Sequence, residues 1–547
     1  MKSESQLTTV LQNEESLSCC LAGFCLTTIL HLFTLLFLSA GLWVMSGVGA
    51  QAASSAGKPC GPPSYCARTD RRTEVYPDTP PALGPAGSIV QDPIFGSRIV
   101  RVTDDKTDAK RRGGPLMTPS SSEQNTWNTT STALYVVNSG GGFTLYDFDP
   151  STMTPHSLGE PTLQWAGEPQ FSYSQPNILY GIDQRNQAFQ QYDISNRRLT
   201  TIHKASDCVK LNSSDTGNDV TASADDNRFL AAFGPRQDDY YVVYIFDRGR
   251  GCRWYNTETG EIGGQWGPKG TIAIPEHYGV HNTRMSKSGK FVSITRSGGG
   301  GKAWLVWEVE TMNVVVCPSL CSGHHVMGYS HIVGPSGESH PFDLVARPLS
   351  RLDASSHLIT GLQPTGGYWY DHHFSWSNVN LDDTNPVCLS TYRPSNPDTP
   401  RTPLAVNGPW ENEVVCVEMD GKDSKVWRFA HTYSTAKNGF WSTPRGHVSQ
   451  DGRFFMFTSD WEDQLGKAPS KYRTDVFVVE LVGERSFWIG RKSLRLNLAP
   501  RDLNAWTICS MSLLEERIMF FPAVTRPSLR GGILPAMFQR CALASWS

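Results

Sequence analysis

"GHVSQDGRFFMFTSDW" at residues 446–461, followed by "RTDVFVVEL" at 473–481, decides how this chain folds. A polar strand start runs into an Asp-Gly turn and then an alternating apolar strand, which is a hairpin signal. The second segment is a further strand ending in an acid, Glu480. The pattern recurs upstream. "NTTSTALYVVNS" leads to "GFTLYDFDPSTMTPHSLG", "PQFSYSQPNILYGID" to "AFQQYDISNRRLTTIHK", "VTASADDNRFLAAFG" to "YYVVYIFD", and "TRMSKSGKFVSITRS" to "AWLVWEVETMNVVVCP". A degenerate copy, "YSHIVGPSGES", leads to "FDLVARPLSRLDASSHLITG", and "HHFSWSNVN" leads after a long insertion to "NEVVCVEMDGKDSKVWRFAH". The closing acids Asp147, Asp193, Asp247, Glu308, Glu418 and Glu480 lie roughly 46 to 62 residues apart, with one interval roughly doubled across the degenerate copy.

Four short strands per unit, repeated about seven times without a helical period, predict an all-β chain folded as a β-propeller of seven four-stranded blades over residues 93–482. No such sheet is stable alone, so the ring must close. Gly and Pro (49 and 35 residues) and 11% aromatics suit a turn-dense β protein. The turn-and-strand motif seen as "SQDGRF", "SKSGKF" and "SADDNRF" resembles the blades of TolB-type propellers, which are found in exported bacterial proteins. That resemblance implies a fold and leaves function open, because such propellers bind proteins, bind glycans or catalyse.

The ends read differently. No charged residue lies between Glu15 and Lys58, and "LTTILHLFTLLFLSAGLWVMSGVGA" is strongly apolar and ends near the small-residue run Ala50-Gln51-Ala52. Residues 1–52 therefore read as a signal peptide or an N-terminal anchor, the latter through residues 21–48, and either places the propeller outside the cytoplasm. Residues 53–92 are Pro/Gly/Ser-rich and read as a linker, and 483–547 as an atypical, poorly ordered tail. The close pairs Cys60/Cys66 and Cys317/Cys321 can close small loops in an oxidising compartment. A formal charge of −3 provides no basic footprint, so nucleic acid is not an expected partner, and a monomer is expected.

In a propeller the first strand of each blade lines the channel. Two residues upstream of the motif serine, on the same strand face, the copies present Thr126, Gln170, Thr221, Arg284, His331, His373 and His447. His372 falls on the opposite face. Three imidazoles can hold one divalent metal ion with a position left for substrate, and Arg284 can clasp an anionic group. Such a set is similar to that of the oligogalacturonate lyases, propellers with a His-rich metal site for uronic-acid chains, although here the histidines come from separate blades. The same column also suits purely architectural hydrogen bonding between blades. "GGYWYDHHFSW" adds Trp369 and Tyr370, which can stack on a sugar ring or fill a seam. His277 and His281 lie in a loop, as do His324 and His325. No G-x-S-x-G elbow or phosphate loop is present. Two functions are thus in play: an exported binding or scaffold propeller for a protein or carbohydrate partner, and a metal-dependent lyase or hydrolase on acidic sugars with Arg284 as a catalytic candidate.

Overall fold

The motif serine has a definite task. In the computed structural model the hydroxyls of Ser223, Ser286 and Ser449 accept hydrogen bonds from the amides of Arg228 (2.9 Å), Phe291 (3.1 Å) and Phe454 (3.0 Å), the residues that enter the second strand. Three residues after each serine the chain turns through the left-handed region, at Asp226 (φ 54°), Gly289 (φ 68°) and Gly452 (φ 68°), where glycine or aspartate is tolerated best. The recurring "S-x-D-G" is thus a turn that satisfies its own backbone.

The described residues are 60–482, with internal interruptions of which the longest are 336–343, 360–370 and 393–408, together with 510–514 and 517–521. The chain divides into two units, 1–484 and 485–547. In the first, antiparallel sheets follow one another along the sequence: 116–159, 165–204, 216–271, 280–316, 326–359, 371–431, and a closing sheet of 447–480 joined by 89–101. In the second, Ser510–Leu514 pairs with Arg517–Phe521 as a hairpin. Among the described residues no helix is long and apolar enough to cross a membrane. The stretch 1–52 lies outside the described residues.

The chain is an all-β propeller of small antiparallel sheets, as expected. The expectation of seven equal blades needs correction, because six blades are recognised in the ring. Five sheets hold four strands; the closing sheet holds five and the third sheet seven. The third sheet grows because Thr216–Gly217, Glu261–Gly264 and Gly270–Thr271 add to four strands like those of the other sheets. The closing sheet grows because Arg98–Arg101 pairs with Asp475–Glu480 and is itself paired by Ile89–Gln91. Start and end of the propeller are thereby zipped together.

Burial follows from this architecture. The second strand of the first sheet, Ala133–Asn138, is buried on both faces, whereas its fourth strand, Thr154–Gly159, is almost wholly exposed. Apolar clusters sit at the seams: Leu230, Val243 and Tyr255 of the third sheet meet Val292, Leu305 and Trp307 of the fourth. Phe454 and Val478 of the closing sheet meet Trp127 and Leu134 of the first. Removing such a side chain, for example Trp127→Ala, costs about 3–5 kcal/mol.

Within the stretch expected as a linker, the chain from Cys60 on belongs to the fold. A Cys60–Cys66 disulfide closes a loop that delivers Tyr65 between Trp427 and Phe429, at ring distances of 5.4 and 5.1 Å. Asp70 then reaches the buried Arg428 (3.2 Å), whose guanidinium also pairs with Glu413. Further disulfides join Cys208 to Cys252 and Cys388 to Cys416, and Cys317 is disulfide-bonded as well.

Candidate functional site

Strand pairing settles which residues share the channel-lining register. Gln170 pairs with Tyr180, Thr221 with Leu230, Arg284 with Ser293 and His447 with Met456, each on the first strand of its sheet. Thr126 precedes Trp127, which bridges to Leu134 in the same way. His373 is also on a first strand, Asp371–Ser375. His331 is not: it opens the second strand of its sheet, His331–Pro335. Val326, which pairs with Val333 as Thr221 does with Leu230, takes the corresponding place. The sequence pattern misleads here because Gly328 stands where the motif serine would be, so no serine anchors the register of this copy.

The three histidines of the expected metal set occupy three different settings. His447 is fully buried; its Nδ1–H donates to the Gln124 carbonyl at 3.0 Å, while its Nε2 is buried without a partner. Burial pushes its pKa down to about 3, outweighing the Gln124 bond that acts the other way, and Arg445 and Arg284 push it further down. It is therefore neutral at ordinary pH.

His373 lies ring to ring with His324 (4.1 Å) and with Tyr392 (5.5 Å), whose hydroxyl is 3.3 Å from its Nε2. His324 in turn donates to the His372 carbonyl at 2.9 Å. His331 is half-buried and its Nδ1 is 3.0 Å from the Asp383 carboxylate. Among the described residues no group of three or more His, Cys, Asp or Glu side chains is placed to hold a metal ion. The residues present therefore do not fit the three-imidazole metal site expected from sequence. Trp369 and Tyr370 lie outside the described residues.

Other members of the column do converge. Gln170, Thr221 and Arg284 line one half-open recess together with Tyr173, Lys287 and the apolar Ala222, Met285 and Met327. Nearby, Gln124 binds the sheets to one another: its amide nitrogen donates to the carbonyls of Glu168 and Pro169 (3.0 Å each) and of Val220 (2.9 Å). Sequence reasoning missed Gln124, which sits on no motif. It also missed Lys287, the "x" of "SKSG".

The loop between the sixth and closing sheets carries a second feature that the sequence pattern did not flag. Phe440 and Trp441 are exposed (42% and 45%), in a short 3-10 turn at Phe440–Ser442. The turn is rigidly built. Ser434 donates to the Ser442 carbonyl (2.7 Å), the Asn438 amide to the Ser442 hydroxyl (3.1 Å) and Thr443 to the Phe440 carbonyl (2.7 Å). Beneath both rings lies the buried guanidinium of Arg445, 4.7 and 5.1 Å from their centres, which also donates to the Phe440 and Pro119 carbonyls. Phe440 borders His373 at 5.8 Å. The only sequence trace of this platform is an aromatic pair in "NGFWSTPRGH", a stretch with no strand period.

No family model matches the chain, and no curated protein matches it. Solved structures do resemble it. An oligogalacturonate lyase in complex with manganese aligns over 75% of this chain and 99% of its own, at 12% identity and a TM-score of 0.47. An oligogalacturonate lyase from Vibrio parahaemolyticus aligns over 74% and 98%, at 12% identity and a TM-score of 0.45. TolB from Acinetobacter baumannii aligns over 48% and 60%, at 16% identity and a TM-score of 0.28. These likenesses concern the propeller fold and carry no chemistry to this chain.

Proposed function

We propose that the chain is an exported β-propeller that binds a partner, a carbohydrate in the first instance and otherwise a protein, on the face formed by the loops that enter the first strands. The observation that carries this reading is the Phe440–Trp441 platform. Exposed aromatic faces cost free energy in water, and this pair is held in place from below by a fully buried arginine rather than left to collapse. A rigid, pre-ordered aromatic surface loses little entropy on binding, which suits stacking on a sugar ring. The apolar stretch before residue 52 and the disulfides support export. The alternative, a metal-dependent lyase or hydrolase, finds no support in the placement of His331, His373 and His447.

The reading is tested by isothermal titration of the propeller with acidic and neutral oligosaccharides, beside Trp441→Ala. Saturable binding that weakens about tenfold or more in the variant, with unchanged thermal stability, is the expected outcome. Undiminished binding in the variant would refute the platform.

A further inference from the structure

The half-open recess has a chemistry of its own, independent of the aromatic platform. Four consecutive sheets contribute to it through their first strands, with Gln170, Thr221, Arg284 and Met327, and Lys287 comes from the turn that follows Arg284. Arg284 and Lys287 are 3% and 5% exposed. The Lys287 ammonium donates to one carbonyl, that of Met327 at 3.2 Å, and lies 5.2 Å from the Tyr173 ring. No carboxylate pairs with it among the described residues, and no acidic side chain lines the recess. A buried ammonium with one carbonyl and a ring face for company is under-compensated.

Two further groups point the same way. The amide nitrogen of Gln170 and the hydroxyl of Thr221, in side chains 1% and 5% exposed, are buried without a hydrogen-bond partner. An amide N–H, a hydroxyl, an ammonium and a guanidinium are all donors. A water molecule donates as well as accepts, and among these groups only the Thr221 hydroxyl could take one of its protons. An occupant that only accepts and carries negative charge satisfies the Lys287 ammonium, the Gln170 amide and the Thr221 hydroxyl at once. The recess is small and half-open, and Ala222, Met285 and Met327 add apolar atoms to its lining.

We propose that this recess is an anion site that takes a single carboxylate, supplied either by a free small acid or by an acidic group on a larger molecule. The ammonium and guanidinium provide the charge, and Gln170 and Thr221 fix the orientation of the oxygens.

The test is thermal unfolding of the full propeller in anion-poor buffer, titrated with acetate, with chloride and with a hexa-aspartate peptide, for the wild type and for Lys287→Met and Thr221→Val. Acetate at about a hundred times its Kd is expected to raise the wild-type midpoint by roughly 3–5 °C, and both variants are expected to respond at least tenfold more weakly. Lys287→Met is expected to melt no lower than the wild type without added anion, because it removes an under-compensated buried charge. A hexa-aspartate response stronger than that of acetate assigns the carboxylate to a larger molecule, and the reverse assigns it to a free acid. An equal response to chloride would overturn the carboxylate assignment. An absent response, or one retained in Lys287→Met, would overturn the site itself.

Discussion

Two turns of this propeller perform one task by different means. In the closing sheet the amide of Phe454 is satisfied by Ser449, five residues earlier in the chain. In the fifth sheet Gly328 stands where that serine would be, and the turn is held by Asp383, which arrives from the sixth sheet. Its carboxylate accepts from the amides of Tyr329 (2.6 Å), Ser330 (2.7 Å) and His331 (2.9 Å), from the Ser330 hydroxyl (2.8 Å), from His331 Nδ1 (3.0 Å) and from Asn378 (2.7 Å). A local cap writes a motif into the sequence. A cap borrowed from the next sheet writes none.

That difference explains which parts of the molecule are legible in the sequence. The hairpins at Ser223, Ser286 and Ser449 announce themselves, and with them the propeller class and the register of Thr221, Arg284 and His447. The fifth copy has no serine to anchor it, so the pattern points to the wrong turn and draws His331 into a ring of channel histidines. The same borrowing occurs once more, where Asp226 of the third sheet accepts from the Ser172 hydroxyl (2.6 Å) and the Ser174 amide (3.0 Å) of the second. There the second copy keeps its own serine, and its register is legible. Gln124 and Lys287 act across sheets, and Arg445 does so in part, through contacts that no spacing rule reaches. The legible part of the candidate site, Gln170 and Arg284, is the part that lies on regular strands.

The comparison can be broken by mutation. Asp383→Ala should have the largest effect, about 3–5 kcal/mol in chemical denaturation, because it strands several buried donors at once. Burial alone would raise the Asp383 pKa, but His331 and the Tyr329 and Ser330 amides outweigh it and hold the carboxylate below its ordinary value. Its contribution is therefore present above the unfolded-state pKa near 4 and is lost as pH falls through the lower folded value. Asp383→Asn should flatten that acid-side loss; an unchanged pH profile would count against the borrowed cap.

Gly328→Ala should cost about 1–3 kcal/mol, since the added carbon would meet an Asp383 oxygen and a Trp376 ring atom at 2.4 Å each. Ser449→Ala should cost about 1–2 kcal/mol, since its hydroxyl accepts from the Arg453 and Phe454 amides and donates to Asp451. His331→Ala should cost less than about 1 kcal/mol, because it is half-buried and Asp383 keeps its other donors. A His331 effect larger than that of Ser449 would restore the histidine to a role the register denies it.

The central claim is that this propeller binds through its aromatic platform and not through a metal held by channel histidines. Titration of the purified propeller with acidic oligosaccharides, repeated with Trp441→Ala, with His447→Gln and after treatment with a chelator, tests it most directly. Binding should fall about tenfold or more in Trp441→Ala and stay unchanged in the other two arms. Binding that survives in Trp441→Ala but vanishes with the chelator or with His447→Gln would contradict it.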